Sequence, residues 1–376
     1  MKADAKGPAN AVEKVAAKTL LIAGGGTGGH VFPALALARL LRERSCEVVW
    51  LGTRRGLEAR VIPAERIAIE WLSIGGLRGK GLLTWLAAPF RLAIALAQAL
   101  AVMRRHRPFA VVGLGGFVTG PGGVAAWLTR RPLLIHEQNA IAGFTNRCLA
   151  HLAREVLEAF PGSFGADITT HAIGNPVRAD ISAVAPPAAR FAARTGAIRL
   201  LVLGGSQGAT RLNAVVPFAL ARLADTVSIE ARHQAGERWL EAARANYAGA
   251  GVRATVVPFI DDMAQAYAWA DLVICRAGAL TVSELAAAGV GAILVPFPAA
   301  VDDHQSANAA YLVREGAAVL IADRELGVER LAAELGRLCA GRGKLLAMAE
   351  RARLLARPRA AEELAQACLR FARCAA

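Results

Sequence analysis

The sequence lacks the short motifs that mark several common protein classes. None of its six cysteines forms a C-x-x-C pair, so neither a zinc site nor a dithiol redox site is predicted, and free buried thiols in a reducing cytosol fit best. No D-x-D motif occurs, and no Lys-Ser/Thr pair follows a glycine-rich stretch, which excludes a Walker loop. We therefore predict neither a bound metal nor a cofactor.

Long uninterrupted hydrophobic runs are also scarce. The first 18 residues contain no apolar segment of the signal-peptide kind, and we predict a flexible extension there. Residues 82–103 have the length of a membrane span, but Pro89, Arg91 and Gln98 interrupt them. An arginine at mid-span costs about 3 kcal/mol on insertion scales. A helix buried on one face, or one lying in a membrane interface, is the preferred interpretation.

Acidic residues are in deficit, with 30 of them against 44 lysines and arginines, which gives a net charge of +14. The electrostatic field of a positively charged protein attracts anionic partners such as acidic lipids and phosphate-bearing substrates. The same excess of basic residues is also compatible with an ordinary solvated surface. Basic and aromatic residues do not interleave in the RNA-binding manner, and no recognition helix stands out. Nucleic acid is therefore not predicted as a partner.

Both halves of the chain alternate short apolar runs with helix-like stretches. The runs are continuously apolar, which indicates strands covered on both faces of a parallel sheet. We predict an α/β protein with two Rossmann-like, doubly wound parallel-sheet domains that face each other across a cleft. The proline-rich residues 175–197 separate them. The predicted strands lie at residues 19–25, 47–53, 109–116, 132–138, 198–205, 227–233, 252–259, 270–278 and 291–298.

Three glycine-rich stretches each follow a predicted strand: GGGTGGH (24–30), GGFVTGPGG (115–123) and GGSQG (204–208). Glycine permits tight turns and lets backbone N–H groups approach an anion at a helix N-terminus. One such stretch is compatible with an ordinary turn, but three at equivalent junctions favour a phosphate-bearing ligand. The first satisfies G-x-G-x-x-G, yet no acidic residue ends the next strand at residues 50–53, so NAD(P) binding is a minor alternative.

These stretches, with HEQNAIAGFTNR (136–147), GNPVR (174–178), residues 259–284 and VPFPAAVDDHQSANA (295–309), resemble the UDP-N-acetylglucosamine transferases of glycosyltransferase family 28. The resemblance implies a GT-B fold and an inverting, metal-independent transfer from UDP-GlcNAc to the muramyl sugar of lipid I, which yields lipid II in peptidoglycan synthesis. It implies a peripheral location at the cytoplasmic face of the inner membrane, on an anionic lipid surface. Cell-wall and division machinery are further candidate partners.

The resemblance also implies a division of labour along the chain. Residues 19–178 would bind the acceptor and the membrane, residues 179–355 would bind UDP-GlcNAc, and residues 356–376 would form a helix that returns to the first domain. His30 is the implied catalytic residue. The implied UDP-GlcNAc contacts are Thr27, Gly28, Gly29, Asn139, Arg178, Ser206, Ile260, Ala279, Leu280, Thr281, Val282, Ser283, Glu284 and Gln305.

Several of these residues have a plain structural alternative, and three of them matter most. His30 is a candidate general base at a predicted helix N-terminus, where the helix field favours the neutral imidazole, or else a polar orienting group or a loop histidine bonded to the backbone. Glu284 either accepts both ribose hydroxyls or closes a capping box begun by Thr281. Arg178 either clamps the diphosphate or lies on the surface.

The remaining candidates have simpler roles. Ser206 either caps a helix or donates to phosphate. Asn139 and Gln305 offer amides to sugar hydroxyls, with a turn role as the alternative, and Ile260 offers backbone groups to uracil. Apolar bulk with basic flanks around residues 77–91 suits docking on an anionic bilayer, with core packing as the alternative. The candidate membrane contacts are Leu77, Leu82, Leu83, Trp85, Leu86 and Phe90.

Two other functions stay open from the sequence. A UDP-GlcNAc 2-epimerase on the same scaffold needs no lipid acceptor and converts the donor unaided. A non-catalytic nucleotide-sugar-binding or basic membrane-recruiting module binds the donor but releases no UDP when the acceptor is added.

Overall fold

Two parallel β-sheets organise the chain, and the computed structural model describes residues 18–75, 87–205, 209–298 and 303–374. The strands of the first sheet are β1 (Thr19–Ala23), β2 (Glu47–Gly52), β3 (Ala68–Trp71), β4 (Ala110–Gly113), β5 (Leu133–Glu137), β6 (Glu155–Glu158) and β7 (His171–Ala172). They lie in the order β3-β2-β1-β4-β5-β6-β7, and each neighbouring pair is parallel.

The second sheet repeats this winding. Its strands are β8 (Ile198–Leu203), β9 (Ile229–Gln234), β10 (Ala254–Val257), β11 (Leu272–Cys275), β12 (Gly291–Leu294) and β13 (Ala318–Leu320). They lie in the order β10-β9-β8-β11-β12-β13, again all parallel. In each sheet the chain adds strands first on one side of the first strand and then on the other, so the strand order reverses between β1 and β4 and between β8 and β11. Ligands of doubly wound sheets bind at this reversal, beyond the carboxyl ends of the strands.

Helices connect the strands of both sheets. Those of the first half are α1 (Gly28–Glu43), α2 (Glu58–Ala64), α3 (Ala88–His106), α4 (Thr119–Leu128) and α5 (Phe144–Ala150). Two short helices occupy the proline-rich connection, α6 (Ala179–Ser182) and α7 (Pro187–Ala192). The later ones are α8 (Thr210–Ala221), α9 (Leu240–Gly249), α10 (Met263–Trp269), α11 (Ala279–Ala288), α12 (His304–Arg314), α13 (Val328–Cys339), α14 (Arg342–Leu354) and α15 (Ala360–Cys374).

The central strands of both sheets, β1, β4, β11 and β12, are buried on both faces, which explains their largely apolar sequences. In β1, Leu20 and Ile22 pack on one face with residues of α1, while Leu21 and Ala23 pack on the other face with residues of α3 and α4. Full burial of each leucine or isoleucine contributes about 2 to 3 kcal/mol. The well-packed sheets are therefore rigid supports for the loops that follow their strands.

The last helix returns to the first half of the chain. α15 packs against α1, and its Leu364, Ala365 and Cys368 are fully buried in the core that also contains β1. The chain thus crosses between the two sheets twice, once near Gly174 and once near Arg357. The crossings touch, because a Cβ placed on Gly174 would clash with the Arg357 side chain.

The structure differs from the sequence-based expectations in several elements. Strands β3, β6, β7 and β13 were not predicted; three of them are short strands of two to four residues at sheet edges, and β6 has a glutamate at each end. Cys148 is exposed on α5, contrary to the expectation of buried thiols, whereas Cys46, Cys275, Cys339 and Cys368 are buried.

Some predictions fall outside the described residues. These are residues 1–17 of the extension, Ser206, and the membrane contacts Leu77, Leu82, Leu83, Trp85 and Leu86. In the part of the chain that is described, no helix is long and apolar enough to cross a bilayer. Within residues 82–103, the described helix begins at residue 88.

Candidate active site

The first glycine loop is pinned by a buried carboxylate. Residues 24–27 join β1 to α1, and Thr27 is the N-cap residue of that helix. Glu58, at the start of α2, is fully buried, and its Oε2 accepts a hydrogen bond of 2.9 Å from the Gly26 N–H. Its Oε1 accepts from the Thr53 N–H at 2.9 Å and from the Thr53 hydroxyl at 2.8 Å. The loop is therefore tied to the end of β2 by protein contacts alone.

The second glycine loop lies directly against the first. Gly116 has a φ of +83°, and a Cβ there would clash with the Gly25 carbonyl oxygen, so only glycine fits. Gly115 lies beside the His30 ring, and a Cβ there would be 2.8 Å from the ring atoms. Thr119 fixes this loop because its hydroxyl lies 3.1 Å from the Gly115 N–H, which donates to it, and 2.7 Å from the Gly115 carbonyl.

His30 is positioned by the loop that follows β5. Its Nδ1 lies 2.8 Å from Gln138 Oε1. The buried Glu137 organises this loop: its Oε1 accepts from the Asn139 N–H at 2.9 Å and the Asn139 side-chain amide at 3.1 Å, and its Oε2 accepts from the Gly143 N–H at 3.1 Å. The loops after β1, β4 and β5 therefore meet around His30 at the carboxyl edge of the first sheet.

A buried asparagine links the two halves across the cleft. Asn308, in α12, has no exposed surface, and its Oδ1 accepts a hydrogen bond of 2.8 Å from the Ala140 N–H. Its Nδ2 lies 3.3 Å from Asn139 Oδ1 and 3.2 Å from the Ala277 carbonyl oxygen, and it donates to both. The β5 loop of the first sheet is thus joined to α12 and, through it, to the loop after β11 in the second sheet.

Asn175 makes a second link, from the segment that connects the two sheets after Gly174, which we call the hinge. Its Nδ2 lies 3.0 Å from the Gln138 carbonyl oxygen and 3.0 Å from Ser283 Oγ on α11. Its Oδ1 is buried and has no hydrogen-bond partner among the described residues. Together, Asn308 and Asn175 hold the carboxyl edges of the two sheets face to face.

Glu284 lies on α11, the helix that follows β11. Gly278 is the N-cap of this helix, so Thr281 is an interior residue and the capping-box alternative for Glu284 does not hold. The Tyr267 hydroxyl donates a hydrogen bond of 3.0 Å to Glu284 Oε2. Burial raises the pKa of Glu284, while the Tyr267 hydrogen bond and the positive charge of Arg178 act in the opposite direction.

Arg178 is close enough to influence that carboxylate yet remains partly exposed. It is the N-cap residue of α6, at the end of the hinge. Its Nε lies 3.8 Å from Asp180 Oδ1, a long ion pair that leaves the guanidinium able to bind an anion.

Two glutamines hold the loops of the second sheet. Gln305 Oε1 accepts hydrogen bonds from the Ala277 N–H at 3.2 Å and the Phe297 N–H at 2.9 Å, so the Nε2 end of this amide is the one suited to a ligand. Gln234 fixes the start of the third glycine loop, because Gly205 donates to its Oε1 at 2.9 Å and accepts from its Nε2 at 3.0 Å.

The other predicted donor contacts differ in accessibility. Val282 is fully buried, and its N–H donates to the Gly278 carbonyl at the start of α11. Neither its side chain nor its N–H is therefore available to a ligand in the cleft. Ala279 is also buried, and Ile260 packs partly on the core of the second sheet. The predicted donor contacts at the starts of α1 and α11 that are exposed or partly exposed are Thr27, Gly28, Gly29, Leu280, Thr281 and Ser283.

A cavity of about 610 Å³ opens beside the first glycine loop. Gly26, Arg54, Arg55 and Arg91 line it, and the Arg54 guanidinium lies 5.3 Å from the centre of the Trp71 ring. Three arginines around one cavity suit an anionic ligand held by the first sheet. In the described ranges, His, Cys, Asp and Glu side chains nowhere gather in a group of three or more that could hold a metal ion.

Sequence reasoning missed several of the residues that shape this site. Four of them lie inside the motifs already quoted, so their positions next to predicted contacts could have identified them. They are Gln138, Asn175, Tyr267 and Asn308. Glu58 belongs to no such motif, and only the fold brings it to the first glycine loop.

The fold and the facing loops define a class: a two-domain α/β glycosyltransferase of the GT-B type, as the sequence predicted. The chain belongs to glycosyltransferase family 28. Residues 20–158 match the Glycosyltransferase family 28 N-terminal domain, and residues 199–364 match the Glycosyltransferase family 28 C-terminal domain.

Relatives with high identity cover nearly the whole chain. Two proteins named UDP-N-acetylglucosamine--N-acetylmuramyl-(pentapeptide) pyrophosphoryl-undecaprenol N-acetylglucosamine transferase are each 59% identical to it. The one from Nitrosococcus oceani aligns over 353 residues, 94% of this chain and 98% of its own. The one from Alkalilimnicola ehrlichii aligns over 354 residues, 94% of this chain and 99% of its own.

Solved structures agree with this assignment. The crystal structure of Acinetobacter baumannii MurG is 42% identical, with a TM-score of 0.84 over 94% of this chain and 99% of that chain. A UDP-GlcNAc 2-epimerase from Neisseria meningitidis has a TM-score of 0.65 over 94% of this chain and all of that chain, but only 11% identity. The epimerase therefore shares the fold alone.

Proposed function

We propose that this enzyme transfers N-acetylglucosamine from UDP-GlcNAc to the N-acetylmuramyl-pentapeptide carried on pyrophosphoryl-undecaprenol, the lipid I to lipid II step of peptidoglycan synthesis. The observation that carries the proposal is the pair of cross-cleft links, Asn308 to the β5 loop and Asn175 to α11, which bring the His30 loops against the Glu284 helix. Two relatives that are 59% identical are named for this reaction.

The second sheet supplies most of the donor site in this proposal. Glu284 accepts hydrogen bonds from the two ribose hydroxyls, the task for which Tyr267 orients it. Ile260 offers backbone groups to uracil, and Gln305 and Asn139 offer side-chain amides to the sugar. The diphosphate lies at helix N-termini and near Arg178, where backbone N–H groups and a guanidinium stabilise negative charge.

The reaction needs a base, an aligned donor and a stabilised leaving group. His30 takes the proton from the acceptor hydroxyl, whose oxygen then bonds to the anomeric carbon as the carbon–oxygen bond to UDP breaks. The bonding pair leaves with UDP, and the attack from the opposite face inverts the anomeric centre. Helix N-termini and Arg178 receive the charge that develops on the departing diphosphate. Closure of the cleft excludes water, which competes as a nucleophile.

The acceptor belongs to the first sheet. We assign residues 19–178, with the returning segment 356–376, to the acceptor and residues 179–355 to the donor. The arginine-lined cavity beside the first glycine loop is suited to the acceptor's pyrophosphate. Exposed apolar side chains lie nearby on α3, where Phe90 is 75% exposed and Leu92 and Ile94 are each 52% exposed. Together with Arg91 they form a surface suited to an anionic cytoplasmic membrane face.

The decisive experiment is UDP release from UDP-GlcNAc with and without lipid I, run in EDTA. The proposal requires release that depends on lipid I and persists in the chelator. Conversion of the donor without lipid I would indicate the epimerase, and binding without release would indicate a non-catalytic module. Loss of activity in EDTA would contradict the metal-independent mechanism. Co-sedimentation with anionic vesicles, compared between the wild type and Phe90→Ser, tests the membrane surface separately.

A further inference from the structure

An unbroken chain of hydrogen bonds runs from the hinge to His30. The Gly174 carbonyl oxygen lies 2.9 Å from His136 Nε2, and His136 Nδ1 lies 3.0 Å from Gln138 Nε2. Gln138 Oε1 in turn lies 2.8 Å from His30 Nδ1. His136 and Gln138 have no exposed surface, so water does not compete for these bonds.

The direction of each bond follows from groups that can only accept. The Gly174 carbonyl has no proton to give, so His136 Nε2 carries one and donates it. The carbonyl oxygen of His136 lies 2.9 Å from Gln138 Nε2, which must therefore be the amide nitrogen of that side chain. This contact fixes the orientation of the amide, which cannot be exchanged end for end without setting two oxygens against each other.

The same logic continues to His30. Burial lowers the pKa of His136, which keeps its imidazole neutral and leaves a lone pair on Nδ1 to accept from Gln138. The amide oxygen of Gln138 then faces His30 and can only accept. His30 Nδ1 consequently carries the proton in that bond. The Nε2 atom of His30 has no hydrogen-bond partner among the described residues, and the ring is partly exposed.

We propose that Gln138 and His136 are positioning residues that hold His30 in its Nδ1–H tautomer, with the Nε2 lone pair available to the acceptor hydroxyl. The inference rests on the proposed role of His30 as the base of the transfer. A base must present a lone pair, and the opposite tautomer would present an N–H to the hydroxyl that is to be deprotonated. Gly115 contributes by leaving room for the ring.

The tautomer itself is measurable without turnover. Long-range ¹H–¹⁵N correlation spectra of the ¹⁵N-histidine-labelled wild type, with His30 assigned by its loss in His30→Gln, should show a protonated Nδ1 and an unprotonated Nε2. In Gln138→Met, which removes both ends of the amide at similar volume, that signature should be lost or mixed. A wild-type His30 protonated on Nε2, or a pattern unchanged in Gln138→Met, would overturn the proposal.

Kinetics test whether the two residues act as a unit. Gln138→Met and His136→Phe should each lower kcat by about 10- to 100-fold, because general base catalysis contributes about 100-fold or more. KM for UDP-GlcNAc should change by less than about twofold. In a His30→Ala background, Gln138→Met should change kcat by less than about twofold, since its effect acts through His30. Independent, multiplicative losses would contradict the proposal.

A matched control separates positioning from simple loss of stability. His233→Phe removes another buried histidine, which bonds Tyr247 and Asn213 in the second sheet and belongs to neither the donor site nor the His30 loops. Its kcat should stay near that of the wild type, and an equal loss there would show that any buried histidine has the same effect. If the wild type fails to release UDP with lipid I, the proposed function fails, while the spectra still decide the tautomer.

Discussion

The hydroxyl of Tyr267 donates a hydrogen bond of 3.0 Å to Glu284 Oε2 from a fully buried position. Burial and the neighbouring carboxylate raise the pKa of Tyr267, so the phenol keeps its proton and remains a donor. One oxygen of Glu284 is thereby fixed in orientation. Under the proposed function, Tyr267 therefore acts on the donor through Glu284.

Tyr267→Phe should weaken UDP-GlcNAc binding. Loss of one hydrogen bond to a charged group costs about 1.5 kcal/mol, which corresponds to a roughly tenfold higher Kd. Titration calorimetry with UDP-GlcNAc measures the change. Tyr247→Phe is the matched control, because it removes a similarly buried hydroxyl that bonds His233 instead. Equal weakening in both variants would mean that Tyr267 has no particular role at the donor site.

His30→Ala and Glu284→Ala should separate the two kinetic parameters. The first removes a group needed only in the transition state, so kcat should fall by about 100-fold or more with little change in KM for the donor. The second removes a ground-state contact, so KM should rise about tenfold or more with a smaller effect on kcat. Steady-state assays of UDP release with saturating lipid I provide both values. Equal losses in both parameters for both variants would refute the two roles.

The affinity for UDP-GlcNAc should decrease as the pH falls. Because burial raises the pKa of Glu284, its carboxylate takes up a proton at a higher pH than an exposed glutamate does. Protonation removes acceptor capacity for the ribose hydroxyls, so binding is strong above the raised pKa and weakens below it. Since the Tyr267 hydrogen bond lowers that pKa, Tyr267→Phe should shift the decline to higher pH.

Calorimetric titrations with UDP-GlcNAc at intervals between about pH 5 and pH 8 measure this dependence. Glu284→Gln, which has no titrating proton, is the control and should show a flatter profile. An identical decline in Glu284→Gln and in the wild type would assign the pH dependence to another group.

Gly116→Ala should destabilise the protein more than Gly26→Ala does. Both glycines have positive φ, +83° and +95°, so each alanine incurs the left-handed backbone cost of about 1 to 2 kcal/mol. A Cβ at Gly26 meets open space, whereas one at Gly116 would clash with the Gly25 carbonyl oxygen. That clash adds about 1 to 3 kcal/mol of overpacking. Denaturant unfolding of the two variants measures the difference, and equal free energies of unfolding would mean that the glycine loops do not abut in solution.

Most inner strands and the three glycine loops were predictable, because the local sequence alone determines their apolar pattern and their turns. A strand such as β8 is apolar apart from Arg199, since both faces are covered, and a glycine stretch directly after it indicates a tight junction. Three of the four edge strands were not predicted, and β3 shows why: none of its residues is buried, and pairing with β2 rather than side-chain pattern makes it a strand. Their detection needs the tertiary arrangement.

The candidate site was predictable where a motif places its residues side by side in sequence. His30 follows its loop directly, and Asn139 follows β5. Contacts between parts of the chain that are distant in sequence were not predictable. Glu58 reaches Gly26 over 32 residues, and Asn308 reaches Ala140 over 168, because the sheets and the hinge fold those segments together.

The return of α15 to the first sheet gives the enzyme a hinge made of two chain segments instead of one. Two domains joined by a single segment can rotate freely, whereas two segments in contact at Gly174 and Arg357 restrict that rotation. Under the proposed function, the carboxyl-terminal residues thereby help to set the path along which the acceptor hydroxyl approaches the anomeric carbon.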